Sequence, residues 1–133
     1  MGEIKSYRDL EVWRLGIELA MDCYALTQRF PADERFGLIS QTRRAAVSIP
    51  TNVAEGHNRR SPKSNNAYRN HVSIALGSSG ELDTQFEIAL RLGYLGREDL
   101  RATGDKLDRV GQMLRRLQQS LETQSGLRSC RMP

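Results

Sequence analysis

A row of polar side chains follows one side of a helix that the sequence predicts over residues 35–56. Successive residues of an α-helix are about 100° apart, so side chains three or four positions apart share a face. The polar row has that spacing: Gln41, Arg44, Ser48, Asn52 and Glu55. An apolar row borders it: Leu38, Thr42, Ala45, Ile49 and Val53. This arrangement predicts side chains that meet other side chains, at a seam between helices or between subunits.

A second polar row follows a helix predicted from about Ser64. Its members are His71, Ser78, Glu81 and Gln85. If the two helices are antiparallel neighbours, we expect Arg44 to pair with Glu81. One interpretation is a buried network that fixes helix register, because such networks specify geometry more reliably than they stabilise. The alternative is a subunit interface or a binding surface. The term polar seam is used below for seven of these residues: Gln41, Arg44, Ser48, Asn52, Glu55, Ser78 and Glu81.

Positive charge is concentrated between Arg43 and Arg69, where six cations accompany one anion. The whole chain has a formal net charge of +4, so its remaining residues are slightly negative. Four of the cations lie in or just after the loop HNRRSPK and are called the basic cluster: Arg59, Arg60, Lys63 and Arg69. Solvated surface charge is one interpretation of the cluster, and a phosphate-binding surface is the other. A phosphate-binding surface releases counterions, so its affinity falls steeply with salt.

The sequence lacks the patterns from which enzymes build reaction centres. It has no Gly-rich phosphate loop, no nucleophile elbow and no HExxH zinc motif. Metal sites in helical bundles use several inward Glu and His residues, as in Glu-x-x-His, which is absent here. We expect His57 to be solvated in the basic loop and Cys23 to be a buried, inert thiol. The sequence therefore predicts a non-catalytic protein without a metal or cofactor.

Four predicted helices must position these residues. The first begins at a Ser6 N-cap and ends at Phe30-Pro31. Its apolar face has Leu10, Trp13, Ile17, Ala20 and Tyr24, and is widened by Leu19, Cys23 and Leu26. The second contains Pro50, and because its two rows stay in phase we predict a kinked, continuous helix that ends with Gly56 as its cap. The alternative is a helix that ends near Ser48, with a new turn starting at Pro50.

The third and fourth helices have long apolar series. The third extends from Tyr68 to Ala89 through the weak helix formers GSSG at 77–80, where a break into two short helices is the alternative. The fourth has a heptad series from Leu100 to Leu121.

Four long helices with short connections and no strand pattern predict an all-α, antiparallel up-down-up-down four-helix bundle. The length of 133 residues fits one domain, which we place at 1–121. Residues 122–133 lack periodicity and are predicted to be a frayed or disordered tail. No apolar run approaches the roughly 18 residues of a membrane span, and the N-terminus lacks a signal-peptide core. We expect a cytoplasmic protein with no membrane partner.

Three segments carry a family resemblance: YRDLEVW, FPADERFGLISQTRRAAVSIPTNVAEG and IALGSSGELDTQFEIALRLGYL. From Tyr7 to Leu95 the chain resembles the 23S ribosomal RNA intervening-sequence proteins, with the string SQxRRAxxSIPxNxAEG in order and spacing. The resemblance implies a small bacterial cytosolic bundle whose usual assembly is a homopentamer. The chain is also similar to the accessory protein of diversity-generating retroelements, a basic pentameric barrel that binds a reverse transcriptase and nucleic acid.

The family motif attaches no catalytic role to any residue. It supplies Gln41, Arg43, Arg44, Ser48, Asn52, Glu55, Gly56, Gly77, Ser78 and Glu81. Residues and resemblance together predict a homo-oligomer that contacts RNA or structured DNA through the basic cluster. The resemblance implies that this homo-oligomer is a pentamer. The alternative is a scaffold on which a partner protein docks.

Overall fold

Four α-helices and two short 3₁₀ turns form residues 2–131, the part of the chain that this computed structural model describes; side chains are described for residues 2–123. The 3₁₀ turns are Tyr7–Asp9 and Ala32–Glu34. The helices are α1 (Glu11–Thr27), α2 (Leu38–Asn58), α3 (Asn66–Arg91) and α4 (Arg97–Arg131). No strand occurs in residues 2–131, which confirms the predicted all-α class.

The helices pack around one central core. Helix α2 lies between α1 and α3, and α4 packs against both α3 and α1. All four helices contribute fully buried apolar side chains: Leu19, Ile49, Val53, Val72, Leu82, Val110 and Leu114. Burial of this apolar surface is the main force that holds the helices together.

The beginning of the first helix differs from the prediction. Ser6 is an N-cap as expected, since its hydroxyl accepts a hydrogen bond from the Arg8 amide and the Asp9 carboxylate accepts from the Ser6 amide. The cap starts the short 3₁₀ turn Tyr7–Asp9, however, and Leu10 is extended at φ −77° and ψ 125°. The prediction of one continuous helix from Ser6 was therefore wrong, because the chain turns at Leu10 before α1 begins.

The predicted buried face of α1 was also wrong in part. Ile17 and Tyr24 are exposed, whereas Leu19 and Cys23 of the predicted face are buried. Leu15, which was not predicted to lie on that face, is also buried. Apolar residues occupy both sides of α1, so their spacing does not decide which side faces the core.

Helix α2 continues through Pro50, so the alternative of a helix end near Ser48 is excluded. Its predicted apolar row is buried from Leu38 to Val53. Gly56 was predicted as the C-terminal cap, but α2 extends to Asn58 and Gly56 lies inside it. A Cβ at Gly56 would lie 2.9 Å from both His71 Cβ and Tyr68 Cδ1. Glycine is required there because α2 and α3 approach closely.

Helix α3 is continuous through residues 77–80, so the predicted alternative of a break is excluded. It ends at Arg91, and Gly93 follows the cap with a φ of +77°. Tyr94 N donates a hydrogen bond to Ala89 O, and Gly93 N donates to Leu90 O. This is the Schellman pattern, in which glycine adopts the left-handed conformation at low cost. The turn predicted between Gly93 and Gly96 is thereby confirmed.

Helix α4 buries its predicted heptad series. Thr103, Leu107, Val110, Leu114 and Leu121 are buried. The α4 backbone continues past the proposed domain boundary at 121, and side chains beyond residue 123 lie outside the described residues. The predicted tail at 122–133 therefore stays a prediction. Within residues 2–131, no helix is long and apolar enough to cross a membrane.

Candidate functional site

One half of the polar seam is a hydrogen-bonded link between α2 and α3. Ser78 Oγ donates to Ser48 Oγ at 2.8 Å, and Asn52 Nδ2 donates to the same oxygen at 3.0 Å. Asn52 Oδ1 lies 2.9 Å from His71 Nδ1, which must carry the proton because an amide oxygen only accepts. Glu55 Oε2 lies 3.7 Å from the same ring nitrogen. These contacts fix the position of α3 along α2.

The other half of the polar seam lines an open groove of about 440 Å³. Arg44 and Glu81 both line the groove and are exposed, but they form no ion pair within the described residues. The predicted Arg44–Glu81 pair was therefore wrong; an exposed pair gains little from fixing two long side chains. Gln41 is exposed at the same groove, and the Oε1 atom of buried Gln85 has no hydrogen-bond partner among the described residues.

The basic cluster lies where α2 passes into α3. Arg59 ends α2, Lys63 lies in the loop, and Arg69 is in the first turn of α3. Arg59, Arg60 and Lys63 are exposed, whereas Arg69 is half-buried. The ion pairs among the described residues involve other cations than the six between Arg43 and Arg69. None of these six is therefore paired with a described carboxylate. The positive charge of this segment is available at the surface.

His57 is buried in the last turn of α2, so the expectation of a solvated histidine was wrong. Its ring packs edge-on against Tyr68, with 6.0 Å between the ring centroids. Arg60 Nη1 lies 2.9 Å from His57 Nδ1 and 2.7 Å from the His57 carbonyl oxygen. A guanidinium only donates, so Nδ1 accepts. Burial, and secondly the Arg60 charge, lowers the pKa of His57 and favours the neutral ring.

Metal ligands and a reactive thiol are the two kinds of chemical group considered among the described side chains. No group of three or more His, Cys, Asp or Glu residues within the described part of the chain has a metal-binding arrangement. Cys23 is buried as expected, and burial, with a smaller effect of Asp22, raises the pKa of its thiol to about 12. A thiol with that pKa carries almost no thiolate at neutral pH, so Cys23 is a poor nucleophile.

An exposed apolar surface, which sequence reasoning missed, borders the polar seam. Phe36 is 89% exposed, and Tyr24 and Val47 are also exposed. The Arg43 guanidinium lies 4.6 Å from the centre of the Tyr24 ring. A groove of about 710 Å³ links this surface to the polar seam, because Tyr24, Phe36 and Val47 line it together with three seam residues: Arg44, Ser48 and Asn52.

This surface is called the outer α2 face below, defined by Tyr24, Phe36, Arg43 and Val47. The signal in the sequence was the presence of apolar residues on two sides of α1, which cannot all be covered in one bundle.

Comparison with known proteins gives a family and a fold. The family model described as "23S rRNA-intervening sequence protein" matches residues 8–116. A solved structure from Bacteroides thetaiotaomicron, described as a protein of unknown function from the S23 ribosomal protein family, matches with a TM-score of 0.71 and 21% identity. The match covers 80% of this chain and 97% of that one. A comparison with curated proteins gives no significant match.

Proposed function

The chain belongs to the 23S rRNA-intervening sequence protein family, and we propose that it is a non-catalytic, homo-oligomeric bundle. It would bind RNA or structured DNA through phosphate contacts. Its place of action would be the cytoplasm. The observation that carries the proposal is the basic cluster. Its cations lie in or just after one loop and have no carboxylate partner among the described residues.

The basic cluster suits a phosphate backbone better than base edges. Lysine and arginine on a loop neutralise phosphates and release counterions, a contribution that does not depend on sequence. The aromatic rings of Tyr68 and His57 lie beside the cluster, and both residues are buried. We therefore propose binding to a backbone rather than recognition of a sequence.

An antiparallel arrangement of the helices is supported by the order of contacts along them. Along α2, Ser48 contacts Ser78 and Asn52 contacts His71, so a later residue on α2 meets an earlier residue on α3. The contacts of α1 with α4 follow the same order: Glu11 with Arg109, Asp22 with Lys106 and Arg29 with Asp99. These contacts support the up-down-up-down order.

Self-association is supported by the outer α2 face. Large exposed apolar patches on soluble proteins commonly mark interaction surfaces, and Tyr24, Phe36 and Val47 are exposed along one groove here. A second copy of the chain covering this face would remove the apolar surface from water. A ring of copies, pentameric as the family resemblance implies, would repeat the basic cluster and increase affinity for a long polyanion.

A salt titration of RNA binding tests the nucleic-acid proposal. The test variant is Arg59→Gln/Lys63→Gln, because neither side chain has a hydrogen bond or ion pair from its charged group among the described contacts. The control is Arg91→Gln/Arg101→Gln, which removes the same charge from exposed pairs with Glu87 and Glu98.

We expect wild-type affinity to fall steeply with salt, and the test variant to weaken binding and flatten the salt dependence by about two units of slope. The control should bind as the wild type does. No RNA or DNA binding at low ionic strength, or equal loss in both variants, would reject the proposal.

A protein-docking scaffold is the second candidate, and the exposure of Phe36 favours it. On this alternative a partner protein covers the outer α2 face, and the basic cluster is only solvated charge. Partner binding would then be lost on Phe36→Glu and unaffected by Arg59→Gln/Lys63→Gln.

A further inference from the structure

A second concave site lies beside the basic cluster, where the α2–α3 loop meets α4. It is a pocket of about 780 Å³, with walls that include Leu10, Tyr68, Leu117 and Leu121. Its volume falls in the range of small-ligand sites. None of its lining residues is an aspartate or glutamate, whereas Arg60 is one of them. An anion with an apolar body is the ligand class that fits these walls.

Tyr68 and Arg60 both have donor groups at this pocket that form no hydrogen bond among the described residues. The Tyr68 hydroxyl is the first. Tyr68 is only 5% exposed, and its hydroxyl makes no hydrogen bond among the described residues. Burial raises the pKa of Tyr68, against a smaller opposing effect of Arg60, so the hydroxyl keeps its proton. The hydroxyl oxygen itself still reaches solvent, so it can take a partner at the pocket. The pocket would supply that partner as a ligand oxygen or as water.

The guanidinium of Arg60 is held in place by the end of α2. Its Nη1 atom contacts the ring and carbonyl of His57, which leaves Nε and Nη2 without a hydrogen bond among the described residues. Because His57 is itself buried, it fixes the guanidinium more firmly than a solvated side chain would. Arginine forks of this type suit phosphate oxygens, which accept two parallel hydrogen bonds.

We infer that this pocket receives one unstacked nucleotide of a single-stranded segment, with its base against Leu117 and Leu121 and its phosphate on Arg60. The inference rests on the proposed function and extends it from backbone attraction to a preference for unpaired strands. In a duplex both faces of a base are covered by stacking, so only a single strand can place a base in the pocket. The neighbouring Arg59 and Lys63 would hold the adjoining phosphates.

The first test fills the pocket. Ser120 is an exposed residue of α4 that lines the pocket, and Gln119 is its exposed neighbour that does not. Ser120→Trp introduces a large side chain at the rim, and Gln119→Trp is the matched control. Fluorescence anisotropy at one fixed salt concentration compares oligo(U) RNA, oligo(dT) DNA and an RNA duplex of the same length.

We expect Ser120→Trp to weaken single-strand binding about tenfold, a loss typical of one base contact. Duplex binding should be unchanged, and Gln119→Trp should bind both as the wild type does.

The second test removes one donor without filling the pocket. Tyr68→Phe deletes only the hydroxyl, which has no partner among the described residues, so the fold should keep its melting temperature. We expect a several-fold loss of single-strand affinity and no change for the duplex. If Ser120→Trp melts early, Tyr68→Phe decides the question alone.

The third test uses small probes and separates the two proposals. Adenosine and uridine monophosphates should shift the NMR resonances of Tyr68 and Ser120, whereas ribose 5-phosphate and inorganic phosphate should shift them far less. Single-strand binding that is lost in Arg59→Gln/Lys63→Gln but kept in Ser120→Trp and Tyr68→Phe overturns the pocket and leaves the proposed function intact. Failure to bind any nucleic acid at low salt overturns both.

Discussion

The ring nitrogen Nδ1 of His71 on α3 lies 2.9 Å from the amide oxygen of Asn52 on α2. One turn further along α2, Gly56 lets the two helices approach, because its missing Cβ would meet the side chains of His71 and Tyr68. A hydrogen bond and a close approach therefore occur at the same crossing. This crossing sets the direction in which the α2–α3 loop, and with it the basic cluster, leaves the bundle.

Gly56→Ala should destabilise the protein. The new Cβ would lie 2.9 Å from two side-chain atoms, and crowding of this kind costs about 1–3 kcal/mol. The control is Gly77→Ala, where no atom lies within 4 Å of the added Cβ and the higher helix propensity of alanine should stabilise by about 0.5–1 kcal/mol. Denaturant unfolding of both variants measures the difference. Equal stability of the two would contradict the close approach.

Asn52→Ala should destabilise more than Arg44→Ala. Loss of the Asn52 amide leaves the half-buried His71 N–H without its closest acceptor, at a cost of about 1–3 kcal/mol. Arg44 is exposed and has no ion pair among the described residues, so its removal should change the unfolding free energy by less than about 0.5 kcal/mol. Thermal melts of both variants at one pH provide the comparison. A larger loss of stability for Arg44→Ala would show that the groove half of the polar seam contributes more to stability than the hydrogen-bonded half.

The melting temperature should fall as the pH drops below the pKa of an unfolded histidine, about 6.5. Burial is the main cause that lowers the pKa of His57 in the folded chain. Between the folded and unfolded pKa values, the unfolded chain therefore binds a proton at this ring and the folded chain does not. Stability from this group is thus complete above the unfolded pKa and is lost as the pH falls toward the folded pKa.

The variant His57→Gln isolates this contribution, since glutamine can still accept from Arg60 but does not titrate. We expect a smaller drop in melting temperature between about pH 7.5 and pH 5.5 in the variant than in the wild type. An identical drop in both proteins would assign the pH dependence to other groups.

Phe36→Glu should reduce the size of the assembly without unfolding the chain. Phe36 is 89% exposed, so its replacement removes no core contact, yet a carboxylate on the outer α2 face would oppose its burial against a second copy. Leu92→Glu is the control, because Leu92 is an exposed apolar residue outside that face. Sedimentation velocity compares the three proteins. A wild-type monomer, or Leu92→Glu dissociating as much as Phe36→Glu, would argue against this surface as the interface.

The sequence by itself determined the four helices and the buried faces of three of them. Helices α2, α3 and α4 each have apolar residues concentrated on one side, so their periodicity identifies the covered face. The cap at Ser6 and the turn at Gly93 were also readable, because each depends on residues within a few positions along the chain.

Only the tertiary structure decided the features that depend on residues distant in sequence. Helix α1 is apolar on two sides, and packing against α2 and α4 determines which side is covered. His57 is buried because Tyr68 of α3 covers it, although its neighbours in sequence are polar and basic. The polar seam divides into a bonded half and an open groove because α2 and α3 touch at Gly56 and leave a groove between Gln41 and Gln85. Periodicity reports which residues share a face, and only the packing of other helices determines what covers it.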